Sequence, residues 1–460
     1  MKDPDAPITR EEDLAGYFAA GAKPRARFGV GLEYERFGVL TGTLAPVAYD
    51  GERSVRVLLE RLTQGPSWVP DHENGVLLGA HHDATRVTLE PGCQLELSGG
   101  VHPTLEAARR ELSFYLDAIA AASEPLGIAW LGVGMQPLAP LGAIPWLPKK
   151  RYAIMRDSGL RRGSRGLVMM KQTACIQVNL DYESETDAME TMRVAMGLSP
   201  LVTAAFANSP LTEGRPNGFL SGRAWAWRDT DPDRCGLLPF VFDEGASFDD
   251  YLQYALDVPL LFVVRDGEYL PGGGVTFRQW LRNGLDGRRP TLADFERHLT
   301  TLFPEVRLKR YLEMRGADSG DPDAVLALAA LWKGVLYDPG TRRDAWRLVQ
   351  DQTFEERVAL LDAVCRDGPE ALLPRRAGAA GQGPGRARDL IEEIVRLARA
   401  GLRAQGHAEE AAWLAPLERR LGKEESCPAR TLLHHWDGKF GHEPRPLVAM
   451  LSRHALEVNP

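Results

Sequence analysis

The stretch Gly29–Gly38, G-V-G-L-E-Y-E-R-F-G, decides how the rest of this chain is read. Glu33 and Glu35 alternate with Leu32 and Tyr34. Residues two apart on a β-strand point to the same face, so both carboxylates project side by side. Burying such a pair is costly, because each charge raises the pKa of the other and desolvation adds to the penalty. Two readings stay open: a solvated strand face with two acids, or a buried face whose charge is met by a cation. Repetition favours the second. Polar residues at the same period recur at Gln94 and Glu96, at Gln177, Asn179 and Asp181, and at Glu313 with Arg315.

Working outward, the chain has 460 residues and a net charge of −8, which argues against a nucleic-acid or anionic-membrane partner. The start, M-K-D-P-D-A-P-I-T-R-E-E-D, has no apolar core of a secretory signal, and no run is long and apolar enough to span a bilayer. The five cysteines (Cys93, Cys175, Cys235, Cys365 and Cys427) are scattered, with no C-x-x-C pair. A reducing compartment and a cytoplasmic location are expected, rather than a zinc site or a disulfide framework. The length fits a catalytic core over 1–356 with a helical C-terminal region over 357–460 packed on it, as a monomer or homodimer.

Local patterning predicts an α+β chain. Helices are expected over 8–20, over Asp50–Thr63, over His102–Ser123 and over Asp187–Asn208. Strands are expected over Val69–Leu78, Arg86–Leu89, Cys93–Leu97, Ile128–Met135 and Thr173–Tyr182, with Pro91-Gly92 as a turn. Asn208–Arg234 reads as a loop, and Ala377–Arg388 as a loop or small linker. Helical signals dominate from Thr291, interrupted by Val306–Arg315. The sum is an antiparallel sheet, flanked by helices, whose polar face lines a cavity.

The chemistry sits on that face. Glu33, Glu35, Glu90, Glu96 and Glu313 lie on or beside expected strands. Mg²⁺ takes one or two carboxylates per ion and completes its octahedron with waters and phosphate oxygens, so these acids suit a metal–phosphate site. Gln177 and Asn179 offer neutral ligands, or else mark an exposed edge face. Arg151, in K-K-R-Y-A-I-M-R, and Arg223, in N-G-F-L-S-G-R-A-W-A-W, can hold a small acid by a planar fork; solvated arginines are the plainer reading. Trp225 and Trp227 read first as packing residues, with Trp227 kept as a candidate substrate contact. Glu313 and Arg315 are either a structural ion pair or a metal ligand beside a phosphate-binding cation. There is no G-x-x-x-x-G-K-[ST] loop, no G-x-S-x-G elbow and no H-E-x-x-H. Use of ATP would therefore rest on metal carboxylates and scattered arginines.

Taken together the runs form a pattern. F-G-V-G-L-E-Y-E-R-F-G, L-E-P-G-C-Q-L-E-L-S-G, I-P-W-L-P-K-K-R-Y-A-I-M-R, Q-V-N-L-D, A-N-S-P-L-T-E-G-R-P-N-G-F-L-S-G-R and F-P-E-V-R-L-K-R-Y-L-E-M-R-G-A-D occur in order. The sequence resembles the glutamate–cysteine ligases of the plant and proteobacterial type. The resemblance implies a funnel-like antiparallel sheet similar to that of glutamine synthetase. It also implies ATP-dependent joining of the γ-carboxyl of L-glutamate to the amine of L-cysteine through γ-glutamyl phosphate, the first step of glutathione synthesis. By the same resemblance, Glu33, Glu35, Glu90, Glu96, Gln177 and Glu313 match Mg²⁺ ligands. Arg151 and Arg223 match glutamate-binding arginines, and Arg315 a phosphate contact. Leu32, Tyr34 and Arg36 stand where the family usually has Thr, His and Lys, and Gln172 stands where an arginine is common. These departures keep open a ligase of the same fold with another amine acceptor; a catalytically dead relative that only binds nucleotide or a partner is a third reading, against which the retained acids argue.

Overall fold

The computed structural model describes residues 5–374, 385–421, 423 and 425–457, with only the backbone over 158–162. The strand β1 (Val30–Leu40) lies inside a nine-stranded antiparallel sheet. Its neighbours before residue 200 are β2 (Val69–Glu73), β3 (Val76–His82), β4 (Thr85–Leu89), β5 (Leu95–Ser98), β6 (Ile128–Leu131) and β7 (Cys175–Leu180). The strands Val306–Leu308 and Leu312–Asp318 complete it. Across the sheet the order is Val306–Leu308, Leu312–Asp318, β7, β1, β5, β4, β3, β2, while β6 pairs with the far half of β1. β1 therefore serves three partners: β7 along Val30–Tyr34, β5 along Glu33–Arg36 and β6 along Phe37–Leu40.

The even and odd residues of β1 face different surroundings. Leu32, Tyr34 and Arg36 are buried against helices, and the Tyr34 hydroxyl donates to Gly320 O at 2.7 Å. The helices flanking the sheet include α1 (Val55–Leu62), capped by Ser54, and α2 (Leu105–Ser123), capped by Thr104. They continue with α3 (Lys150–Arg162), α4 (Gly166–Gln172), α5 (Glu185–Ala205) and α6 (Gly222–Arg228). The fully buried helix Pro322–Tyr337 packs behind β1 and β7.

The C-terminal segment is held to this helix by two devices. Gly334 and Gly401 let the helix Ala387–Ala404 approach so closely that a Cβ at Gly334 would overlap Ala398 backbone and one at Gly401 would overlap Gly334 backbone. Lys333 Nζ pairs with Glu410 at 2.6 Å in a buried bridge, and the other Glu410 oxygen accepts from Leu105 N at 2.8 Å. That second bond satisfies a free amide at the start of α2.

Three local expectations differ, and a fourth lies mostly outside the described residues. The expected helix over 8–20 is two 3-10 turns, Glu11–Asp13 and Ala19–Gly21, because Gly16 and Gly21 weaken a continuous helix. β6 stops at Leu131 because Gly132 and Gly134 pass against Gly320 and Asp318 with no room for a side chain. α6 replaces part of the expected loop over 208–234, and seven residues are too few to carry a helical period. Most of the expected linker Ala377–Arg388 lies outside the described residues; the helix Ala387–Ala404 begins at its end.

One buried histidine gives the fold an acid limit. His298 Nε2 lies 2.7 Å from Ala255 O, and its ring stacks on Phe277. Burial pushes its pKa from 6.5 down to about 4, against that hydrogen bond and with the charge of Arg234 adding to the fall. The unfolded chain takes up this proton near pH 6.5 and the folded chain only near pH 4. Stability from this site is complete above the unfolded pKa and falls as pH drops between the two, by about 2 kcal/mol at pH 5. Urea unfolding at pH 7.5 and pH 5 should show the loss in the native chain and a smaller one in His298→Gln. Equal losses would assign the acid sensitivity elsewhere.

Candidate active site

The strand register assembles the site. In antiparallel pairs, residues directly opposite share a face. Glu35 lies opposite Glu96, Glu96 opposite Thr88, and Glu33 opposite Gln177. A polar row thus crosses β4, β5, β1 and β7. Glu90 follows β4 in a tight turn closed by Glu90 N to Gln94 O at 3.0 Å, in which Cys93 rather than Gly92 takes the left-handed conformation, with φ of 63°. The open side of the sheet is covered by α3, α4 and α6. Between them lies a cavity of about 220 Å³ lined by Glu33, Glu35, Glu90, Glu96, Gln177, Arg151, Arg223, Trp227 and Arg315.

The acids carry charge that the protein itself does not neutralise. Burial, then the Glu90 charge, pushes Glu35 up to about 7, although Cys175 N donates to it at 2.8 Å and Cys175 Sγ at 3.1 Å. Glu96 lies well above the usual carboxylate range through burial and the charges of Glu90, Glu33 and Glu35, and accepts a short hydrogen bond from Thr88. Glu33 is raised by burial and by Glu313, and accepts from Asn179 Nδ2 at 2.9 Å.

Among the described residues, no three acidic, histidine or cysteine side chains form a ready-made metal cage. The donor set still fits Mg²⁺, which needs only one or two protein carboxylates when waters and phosphate oxygens supply the rest. A cation here would also relieve the raised pKa values.

Glu313 differs from this group in that cations compensate its charge. Burial alone would raise it, but Arg307, Lys309 and Arg315 outweigh that and hold it well below the usual range. Arg307 Nη2 sits 2.5 Å and Lys309 Nζ 3.0 Å from its carboxylate, and Arg315 makes a short bond to it. It is fully buried and does not line the cavity. Its visible task is to hold Arg315, whose Nη1 also donates to Gln177 Oε1 at 2.6 Å. Glu313 is thus ion-paired here, while its charge still reaches Glu33 and adds to the rise of that carboxyl.

The opposite wall supplies donors. Arg151 Nη2 donates to the Tyr152 hydroxyl at 3.2 Å, and Tyr152 is anchored on Leu89 O at 3.0 Å, beside Glu90. Arg223 sits at the start of α6, where Ser221 Oγ caps Ala224 N at 3.1 Å. Arg223 Nη2 donates to Arg315 O at 2.8 Å, and Asp318 lies 4.0 Å from Nη1. Asp318 accepts from Asn208 N, Ser209 Oγ and Ser221 Oγ, at 2.8, 2.6 and 2.8 Å, so it fixes both the cap and the arginine. Arg151 Nε, Arg223 Nε and Trp227 Nε1 are buried donors without a partner. Such groups are costly unless an acceptor arrives.

Sequence reasoning missed Arg307, Lys309, Asp318 and Cys175. Three of them had a signal: Arg307 and Lys309 alternate with Val306 and Leu308, and Cys175 shares the period of Gln177. Asp318 had none, because its partners lie about a hundred residues away in the chain.

With that geometry in place, the comparison with known proteins is decisive. The sequence profile of glutamate–cysteine ligase family 2 (GCS2) matches residues 29–446. The chain belongs to this family of ligases. The chloroplastic glutamate–cysteine ligase of Solanum lycopersicum is 41% identical over 448 residues, spanning 97% of this chain and 83% of that protein. The chloroplastic enzyme of Arabidopsis thaliana gives the same identity and coverage. A crystal structure of glutamate–cysteine ligase from Francisella tularensis in complex with AMP shares the fold. Its TM-score is 0.54 at 13% identity, over 94% of this chain and 90% of that one.

The family membership bears out the resemblance and the ligase class read from the sequence. The cytoplasmic expectation is overturned, since the curated plant relatives are chloroplastic enzymes. Free cysteines report a reducing environment, which does not single out the cytosol. No helix among the described residues is long and apolar enough to cross a membrane.

Proposed function

We propose that this chain joins the γ-carboxyl of L-glutamate to the amine of L-cysteine with ATP, through γ-glutamyl phosphate. The observation that carries the reading is one cavity with uncompensated carboxylates on one wall and unmet buried donors on the other. A cation and an acceptor-rich substrate complete it. Glu33, Glu35, Glu90, Glu96 and Gln177 would hold Mg²⁺. When bound, Mg²⁺ supplies charge neutralisation for the triphosphate.

The chain's own residues do the rest. Arg223, with Arg151 and the Trp227 indole, binds and orients the glutamate through donors that have no other partner. Arg315, steered by Glu313 and Gln177, faces the phosphoryl group as it moves from ATP to the γ-carboxylate oxygen. Phosphorylation turns a poor leaving oxygen into a good one. The cysteine amine then attacks the acyl carbon, phosphate leaves, and the new amide sheds a proton. Positioning and electrostatics account for the catalysis, with no covalent enzyme intermediate.

Purified protein with ATP, Mg²⁺ and glutamate should release ADP on addition of cysteine, with γ-glutamylcysteine identified by mass. ADP release with another amine but not cysteine would retain the chemistry and reject the acceptor. No acceptor-dependent ADP release would reject the ligase.

A further inference from the structure

Asp318 ends the strand Leu312–Asp318, is buried, and does not line the catalytic cavity. It can act on a substrate only through another residue. Its carboxylate gathers the donors that place Arg223. Asn208 N donates to Oδ2 at 2.8 Å and Ser209 Oγ donates to it at 2.6 Å. Ser221 Oγ donates to Oδ1 at 2.8 Å, and Arg223 Nη1 lies 4.0 Å from the same oxygen.

The two serines carry this order into α6. A hydroxyl that gives its proton to Asp318 keeps its lone pairs for backbone amides. Ser209 Oγ accepts from Arg223 N at 3.0 Å, and Ser221 Oγ accepts from Ala224 N at 3.1 Å. One buried carboxylate therefore sets the backbone of Arg223 and faces its guanidinium. Burial raises the Asp318 carboxyl, and the Arg223 charge is the foremost influence against that rise. An amide cannot replace this carboxylate group for group. All four groups around it are donors, and an amide makes one of its two ends a donor as well. The Asn208 N–H is backbone and cannot reverse, so the amide nitrogen would fall on the side of Ser221 and Arg223.

We infer, on the assignment of Arg223 to glutamate proposed above, that Asp318 is a positioning residue for glutamate recognition and acts through Arg223 and the start of α6. The acids on the opposite wall are held separately, Glu33 by Asn179, Glu35 by Cys175 and Glu96 by Thr88. Loss of the Asp318 charge should therefore fall on glutamate and spare ATP.

The test compares the full chain with Asp318→Asn, Arg223→Lys and the double variant. Glutamate is varied at saturating ATP, Mg²⁺ and cysteine, and ATP at saturating glutamate, beside a melting curve. Asp318→Asn should raise KM for glutamate at least about tenfold and leave KM for ATP within about threefold. The double variant should stay within about threefold of Arg223→Lys, since both changes remove one interaction. Titration calorimetry of glutamate, with Mg²⁺ and a non-hydrolysable ATP analogue, should give the same ratios in Kd. If Asp318→Asn fails to fold, Ser221→Ala takes its place under the same criteria, with an expected rise of at least about threefold. It keeps the carboxylate and removes one of the two hydroxyls that link it to α6. Three results would each overturn the inference and leave the glutamate site standing: an unchanged KM for glutamate beside a raised one in Arg223→Lys, losses that multiply in the double variant, or an equal rise in KM for ATP. An unchanged KM for glutamate in Arg223→Lys would overturn both.

Discussion

Glu35→Gln is expected to lower kcat at least about a hundredfold while the protein stays folded. Glu35 lies in the middle of the polar row, between Glu33 on its own strand and Glu96 on β5. Its carboxylate is held by Cys175 N and Sγ, so its position is set by β7 as well as by β1. Glutamine keeps the size and can still accept from Cys175 N, but it offers a cation a neutral oxygen instead of a charge. Removing a carboxylate that burial disfavours costs the fold little, so the melting temperature should move by no more than about 4 °C. Raising Mg²⁺ should recover part of the activity if the lost group is a metal ligand. Steady-state kinetics across a Mg²⁺ series, beside a melting curve, checks both points. A large fall in melting temperature with no dependence on Mg²⁺ would make Glu35 a structural residue.

Arg223→Lys should raise KM for glutamate about 10- to 100-fold and leave KM for ATP within about threefold. The arginine makes several contacts that one ammonium cannot reproduce. Nη2 is committed to Arg315 O, Nη1 faces Asp318, and Nε is buried without a partner. A lysine reaching Asp318 or Arg315 O has no rigid second arm for a substrate carboxylate. The network of Asp318 with Asn208, Ser209 and Ser221 does not depend on the guanidinium, so α6 should keep its place. An unchanged KM for glutamate, measured with ATP saturating, would remove Arg223 from the glutamate site.

These two residues differ in how far they were legible. Glu35 is readable because alternation is a property of the strand backbone and needs no partner. Arg223 is visible as an arginine in a Gly- and Trp-rich segment, yet its helix is not. Its cap, Ser221, is stabilised by Asp318, about a hundred residues further on. Glu313 shows the same limit from the other side. Its alternation with Arg315 admits both a metal ligand and an ion pair, and only the approach of Arg307 and Lys309 puts three cations on it. The compartment was misread for a simpler reason, because free thiols record redox conditions and carry no address.

The amino-acid sequence by itself determined the α+β class, the family pattern, and which acids share a strand face, since each follows from short-range periodicity or ordered motifs. The tertiary structure alone decided that Glu35 faces Glu96 and Glu33 faces Gln177, that Glu313 is neutralised, and that Arg36 is buried behind the sheet against Tyr34 and Tyr115. The physical reason is that pairing register, charge compensation and burial are set by residues far apart in the chain. A single strand's alternation fixes which way a side chain points, not what it meets.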